Sequence, residues 1–464
     1  MRRIRTFAPR ARPASWVLLW LACVWLKPAP AIAEIWTTAY YPGWVQNSMA
    51  ASNVDFTAVT HVIHFAVTPN PDGSLNTAIN VISPSNSADV VSRAHQAGCK
   101  VLISVGGGAT QSAFRSAAGA AHRGALVAGL TSFMTTRGYD GIDLDWEPLD
   151  ASDAPRFRQL VSELRSALDS ISPRPLLTAA VATQPALFAS LQGKFDQINL
   201  MTYDLAGPYS GWVTWFNSPL FDGGYRFPST GALAPSIDGV VSDFIAHGIA
   251  PAKLAVGIAF FGVVWSGGAG TPTGGVALPR ESWTKAPTTI SPNYDVIMST
   301  LYQPQAYRWD TNAQAAYLTL NRSGSNKDRF VSYDDERACQ AKVCYARDRG
   351  LGGVMIWELG GGYRPSQPPG QRDPLLQAVK KARAVPPAAE PQIARRELDP
   401  SHRFPAPPAP HETWPGELTA NAWRTLTNDL PDFGGPILLN GPIVPIHGRR
   451  LFPIEAPSVT DPAR

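Results

Sequence analysis

The chain has 464 residues, 44% of them hydrophobic and 16% charged, enough apolar mass for a large buried core. Its formal net charge is only +4. A balance so close to neutral at this size gives no ground for expecting nucleic acid or an anionic membrane as partner.

Arg2, Arg3, Arg5, Arg10 and Arg12 precede an apolar run over residues 16–26, and Ala31-Ile32-Ala33 then supplies a small-x-small cleavage pattern. That order predicts a secretory signal peptide over residues 1–33, too short for a membrane span. Export to the periplasm or the exterior is expected, with cleavage near Ala33. Cys99, Cys339 and Cys344 lie beyond that segment. The last two share a predicted helix at i and i+5, where they do not face each other for a disulfide. Cys99 reads as a small buried apolar group.

One unit recurs along the chain: an amphipathic helix, a glycine, then a short apolar run. Strands are predicted at 35–41, 61–67, 100–106, 140–147, 176–183, 196–204, 254–261 and 353–358. Helices are predicted over 86–97, along the stripe Leu126, Leu130, Phe133 and Met134, and along Phe157, Leu160, Val161, Leu164 and Leu168. Two more follow, along Ile237, Val240, Val241 and Phe244, and over 335–349. Gly98, Gly138, Gly248 and Gly350 stand where a left-handed cap belongs. The apolar runs are those of strands buried on both faces. Eight strands alternating with helices predict an α/β fold, the closed (β/α)8 TIM barrel, with an open doubly wound sheet as the alternative. The stretch from about 263 to 330 is too long for one connection. It reads as a small α+β insertion between strand 7 and strand 8 that walls one side of the cleft. Asp373-Pro374 opens the last helix, which runs through Arg383. The barrel is thus expected over residues 34–384. From Val385 on, proline pairs mark a linker, followed by a tail to Arg464 with no cysteine framework or aromatic repeat.

The most informative stretch is Asp140-Gly-Ile-Asp-Leu-Asp-Trp-Glu147. Ile142, Leu144 and Trp146 alternate with Asp143, Asp145 and Glu147, the period of a strand. Successive same-face residues stand about 7 Å apart. Carboxyls buried that closely share protons or bind something. The C-terminal ends of barrel strands form the reactive face. Glu147 is therefore expected at the mouth, Asp145 below it and Asp143 deeper, as a coupled set suited to acid–base chemistry. A divalent cation is the competing reading, but three carboxyls on one strand make poor octahedral geometry. No metal and no cofactor are expected. Asp140 is out of phase with the other three and reads as structural support.

This octapeptide resembles the signature of glycoside hydrolase family 18, the chitinases and their relatives. Ser104-Val-Gly-Gly107 resembles the family's third-strand motif, Gln197-Ile-Asn-Leu-Met-Thr-Tyr-Asp204 its sixth and Gly257-Ile-Ala-Phe-Phe-Gly262 its seventh. Phe330-Val-Ser-Tyr-Asp-Asp335 resembles the segment before the last helix, and Gly353-Val-Met-Ile-Trp357 the eighth strand. The resemblance implies a retaining mechanism in which the substrate's own 2-acetamido oxygen is the nucleophile. It makes Glu147 the general acid and base, with Asp145, helped by Asp143, holding the acetamido N–H and offsetting positive charge. It implies that Tyr203 hydrogen-bonds the acetamido group and that Tyr40 and Ser104 support Asp143. Met201 and Asp204 would line the cleavage subsite, with Trp357 as its apolar floor. Trp309, Asp310 and Tyr317 of the insertion are expected near the cleft. Tyr209, Trp212, Trp215, Phe216, Phe221 and Tyr225 are expected around the rim, where half would serve only to pack the loop.

Two positions depart from the family pattern. Gly108 stands where many members carry Trp after the third-strand glycines, and Pro148 replaces the usual Tyr after the catalytic Glu. Both bear on chain-length preference and attack on crystalline substrate. The resemblance implies a secreted hydrolase of β-1,4-linked N-acetylglucosamine polymers, with chitin or chitooligosaccharide as partner. An endo-β-N-acetylglucosaminidase acting on glycoprotein glycans or peptidoglycan is the second reading. A non-catalytic chitin-binding lectin on the same fold is the third.

Overall fold

A computed structural model describes residues 35–322 and 325–385. The expected signal peptide and the tail beyond 385 lie outside the described residues. The strands in chain order begin with β1 (Trp36–Pro42), β2 (His61–Pro69), β3 (Leu75–Asn76) and β4 (Lys100–Gly107). They continue with β5 (Gly141–Trp146), β6 (Leu176–Val181), β7 (Gln197–Leu200) and β8 (Leu254–Ala259). Then come β9 (Gly262–Ser266), β10 (Thr288–Ile290), β11 (Tyr307–Asp310), β12 (Ala315–Leu320), β13 (Arg329–Tyr333) and β14 (Gly353–Trp357).

Eight of these pair in parallel in the order β1-β14-β8-β7-β6-β5-β4-β2, and β1 pairs with β2 to close the ring. This is the (β/α)8 barrel; β3 only extends β2 as a short antiparallel hairpin. Period-two alternation sorts the side chains. Tyr40, Ile63, Phe65, Leu102, Ala180, Ala255 and Met355 form a cluster of their own inside the ring. Ile142, Leu144, Val354 and Ile356 belong to the larger core between the sheet and its helices. That outer core receives the stripes of the helices Pro84–Gln96, Arg123–Arg137, Ala154–Asp169, Ile237–Ala246 and Glu336–Asp348. The four glycines predicted to close helices have φ between 65° and 93°.

One local expectation differs, at the end of the sixth barrel strand, and two helix connections add detail. The crossover from β1 to β2 holds no α-helix and runs through 3-10 turns at Gly43–Asn47, Ala51–Asn53 and Phe56–Ala58. Asp373 is the N-cap of the last helix, Pro374–Ala384, as expected, though its side chain makes no capping bond. The sixth barrel strand was expected to reach residue 204 but ends at Leu200, because Thr202 replaces main-chain pairing with bonds from its own hydroxyl to Gly257.

The insertion is an antiparallel sheet of order β10-β9-β13-β12-β11, placed between β8 and β14 as expected. It shares a core with the loop after β7: Trp215, Phe216 and Phe227 pack with Val263, Trp265 and Phe330. Cys99, Cys339 and Cys344 are free thiols. No helix among the described residues is long and apolar enough to cross a membrane.

Candidate active site

On β5 the inward side chains are Asp143 and Asp145, 0% and 2% exposed. Glu147 follows the end of the strand and is half-buried. The three acids thus form a line from the barrel interior towards its C-terminal mouth. The Glu147 carbonyl is fixed by the backbone N–H of Gln111, 3.1 Å away. Close approach of β4 lets this strand sit where it does. A Cβ at Gly106 would overlap the carbonyl of Asp145, and Gly106 has φ 121°, open only to glycine.

Asp143 is held by three hydroxyls. Tyr40 and Ser104 each donate to Oδ2 at 3.0 Å, and Thr178 donates to Oδ1 at 2.6 Å. Burial pushes the Asp143 pKa above the usual carboxylate range, while the three donors pull against it. Burial and the nearby Asp143 and Asp145 charges push the Tyr40 phenol well above its ordinary value. Tyr203 is 4% exposed, and its phenol is raised by burial and then by the charges of Asp145, Glu147 and Asp204. Both tyrosines therefore remain hydroxyl donors at neutral pH. The Tyr203 hydroxyl also lies 3.7 Å from the sulfur of Met355.

The apolar wall is built from Trp357 at the end of β14. Its ring stands 5.4 Å from that of Tyr40 and 4.8 Å, edge-on, from that of Phe65. Met201 packs on the same inner cluster. With Glu147, Trp146, Pro148 and Ala180 it lines a cavity of about 130 Å³. Asp204 takes a left-handed conformation, φ 56°, and its backbone N–H donates to Asn217 Oδ1 at 3.0 Å. A larger groove of about 470 Å³ between the helices Glu336–Asp348 and Pro374–Ala384 contains none of these residues.

The structure thus gathers Asp143, Asp145, Glu147, Tyr40, Ser104, Tyr203, Met201, Asp204 and Trp357 at one end of the barrel. Asp140 is elsewhere. It precedes β5 and binds His95, Lys100 and the backbone N–H of Val101, at the opposite end of the strand from Glu147. Thr178 was missed, because in Leu-Leu-Thr-Ala-Ala-Val it reads as an ordinary strand residue. Its register opposite Asp143 is the only signal.

The outer aromatics divide. Trp215 and Phe216 are fully buried, whereas Tyr209 is 39% exposed. Trp309 lies beneath the Arg337 guanidinium, 4.0 Å from its ring centre, and packs on the main core. Asp310, on the other face of β11, pairs with Arg280 at 2.6 Å, and Arg280 in turn spreads over Trp215, Phe216 and Tyr225. Tyr317 packs edge-on to Phe216 and Phe330. Most of these rings join the loop to the insertion. Among the described residues, no group of three or more His, Cys, Asp or Glu side chains is arranged to hold a metal ion.

A family model, Glycosyl hydrolases family 18, matches residues 37–362, and the chain belongs to that family of glycoside hydrolases. It is 31% identical over 288 residues to a probable endochitinase of Caenorhabditis elegans and 32% identical over 295 residues to chitinase A1 of Niallia circulans. Each match takes in 56% of this chain but only 43% and 40% of those relatives, so the chain spans less than half of their length. Among solved structures, a class V chitinase from Nicotiana tobaccum superposes with a TM-score of 0.61 at 26% identity, over 76% of this chain and 99% of that one. The Ostrinia furnacalis Group IV chitinase in complex with allosamidin gives a TM-score of 0.62 at 22% identity, over 75% and 98%, a likeness of fold alone.

Proposed function

We propose that the protein is an exported chitinase-like hydrolase that cleaves β-1,4-linked N-acetylglucosamine polymers with retention of configuration. The observation that carries this reading is the line Asp143–Asp145–Glu147, whose innermost carboxyl is pinned by Tyr40, Ser104 and Thr178. Glu147 gives its proton to the glycosidic oxygen as the C1–O bond breaks. The acetamido oxygen of the same sugar closes on C1 and forms an oxazolinium ring. Asp145 accepts the acetamido N–H and offsets the charge that develops, with Asp143 behind it. Tyr203 donates to the acetamido group, and Trp357 supplies an apolar face beneath the ring. Glu147, now a carboxylate, takes a proton from water as the water oxygen attacks C1 and the ring opens. Two inversions restore the original configuration. No step requires a cofactor.

The chitinase names among the relatives support the substrate class, and the small-x-small pattern ending at Ala33 supports export. The test is hydrolysis of a chromogenic chitotrioside by the protein and by its Glu147→Gln variant. A loss of at least about a hundredfold in kcat is expected from removing the acid. Equal turnover by the two proteins would refute the assignment. Activity on peptidoglycan fragments with none on chitin oligomers would move it to the second substrate class.

A further inference from the structure

The segment that carries Met201, Tyr203 and Asp204 lies beyond the last paired residue of β7, Leu200. One strand-like bond, from the Met201 N–H to the Val181 carbonyl at 2.8 Å, starts it, and beyond that side chains and a loop carbonyl hold it. Thr202 Oγ1 accepts the backbone N–H of Gly257 at 2.8 Å, and its carbonyl accepts the hydroxyl of Ser218 at 2.6 Å. The neighbouring Asn217 takes the backbone N–H of Asp204 on its side-chain oxygen and that of Leu205 on its carbonyl, each at 3.0 Å. Gly257 allows the approach, since a Cβ there would stand 2.8 Å from a ring carbon of Tyr203.

Asn217 is held by its backbone N–H to Ser332 Oγ at 2.9 Å, and Ser218 is anchored by a charge. Lys342, in the helix Glu336–Asp348, donates from Nζ to Ser218 Oγ at 2.6 Å and pairs with Asp334. Asp334 Oδ2 also accepts the backbone N–H of Ala259, at the end of β8. Lys342 is 0% exposed, and Asp334 and Ser218 are each 4% exposed. An ion pair this deep is a poor source of stability, because an apolar pair of similar volume does as well or better. What an apolar pair cannot do is hold a hydroxyl at a fixed angle. The left-handed Asp204, a conformation non-glycine residues seldom adopt, needs such a hold.

We propose that Lys342 and Asp334 are positioning residues of the active site. Through Ser218 they fix the Thr202 carbonyl, and with it the places from which Tyr203 and Asp204 reach the substrate. The claim rests on the function proposed above for what Tyr203 does, but not for where it stands. Lys342→Met strands a buried carboxylate and is expected to impair folding, so the informative variant is Ser218→Ala, which cuts the link and leaves the ion pair. Its kcat on the chromogenic chitotrioside should fall about ten- to a hundredfold, with Ser218→Thr, which keeps the hydroxyl, within about threefold of the parent. In a Tyr203→Phe background, Ser218→Ala should cost less than it does in the parent, because part of its loss acts through the Tyr203 hydroxyl. Additive losses, or a lowered melting temperature with kcat unchanged, would overturn the proposal. A crystal structure of Ser218→Ala tests placement without substrate: residues 202–205 should be displaced or split between conformers, and an unmoved segment refutes the clip. If Glu147→Gln kept full activity, the functional reading would fall while this structural arm still decided the clip.

Discussion

Asp143 has no access to water, and its two oxygens are taken by the hydroxyls of Tyr40, Ser104 and Thr178. Replacing Thr178 by Val keeps the shape and removes the shortest of the three donors. A buried polar group left short of a partner costs about 1–3 kcal/mol, so thermal denaturation should register a loss of that size. The donors hold the Asp143 pKa down against burial. Losing one raises its proton affinity further, and the acidic limb of the kcat/KM profile should move to higher pH. An unchanged melting temperature and profile would separate Thr178 from the site. The acids themselves were legible because three carboxyls alternating with apolar residues have no ordinary explanation. Thr178 and Lys342 were not, since a strand threonine and a helix lysine each have a commonplace role. What distinguishes them is a partner on another element, which only the folded register supplies.

At the scale of elements, glycines and buried hydrogen-bonded groups fix how strands approach each other. Gly106→Ala would place a Cβ against the Asp145 carbonyl at a φ that alanine avoids. A loss of at least about 3 kcal/mol is expected, visible as a large fall in melting temperature or a failure to fold. On the outer face of β2, His64 is fully buried. It bonds Tyr139 Oη at 2.7 Å and Gln46 Oε1 at 3.1 Å, tying β2 to the approach to β5 and to the first turn after β1. Burial, reinforced by the Arg137 charge, lowers its pKa to about 3. The folded chain then binds fewer protons than the unfolded one between that value and the free imidazole near about 6.5. Stability is therefore present above pH 6.5 and lost as pH falls through this window, by roughly 4–5 kcal/mol at the limit. His64→Gln should flatten the fall in melting temperature between about pH 6.5 and 4. An unaltered slope would contradict the assignment. Strand positions were legible because buried runs and glycine caps are local signals. The end of β7 was not, because its apolar pattern continues while Thr202 takes over the pairing of Gly257.

In the whole molecule, the barrel closes between β1 and β2, and the matched family span of 37–362 ends before Val385. Ending the chain after Val385 should leave kcat/KM on a soluble chitin oligomer within about twofold, since no proposed catalytic group lies beyond that point; a larger loss would give the tail a part in catalysis. The barrel and its insertion were readable from eight buried runs and one overlong connection. The purpose of the aromatic residues was not, because the same rings suit a sugar surface and a loop core. Trp215 and Phe216 turned out to serve the core. The decisive measurement is the anomeric form of the first products released from a chitin hexamer, followed by proton NMR before mutarotation. Neighbouring-group attack by the acetamido oxygen requires that the new reducing ends appear as the β-anomer. New ends released as the α-anomer would mean that water attacks C1 directly, and the proposed roles of Asp145 and Tyr203 would fall with that result.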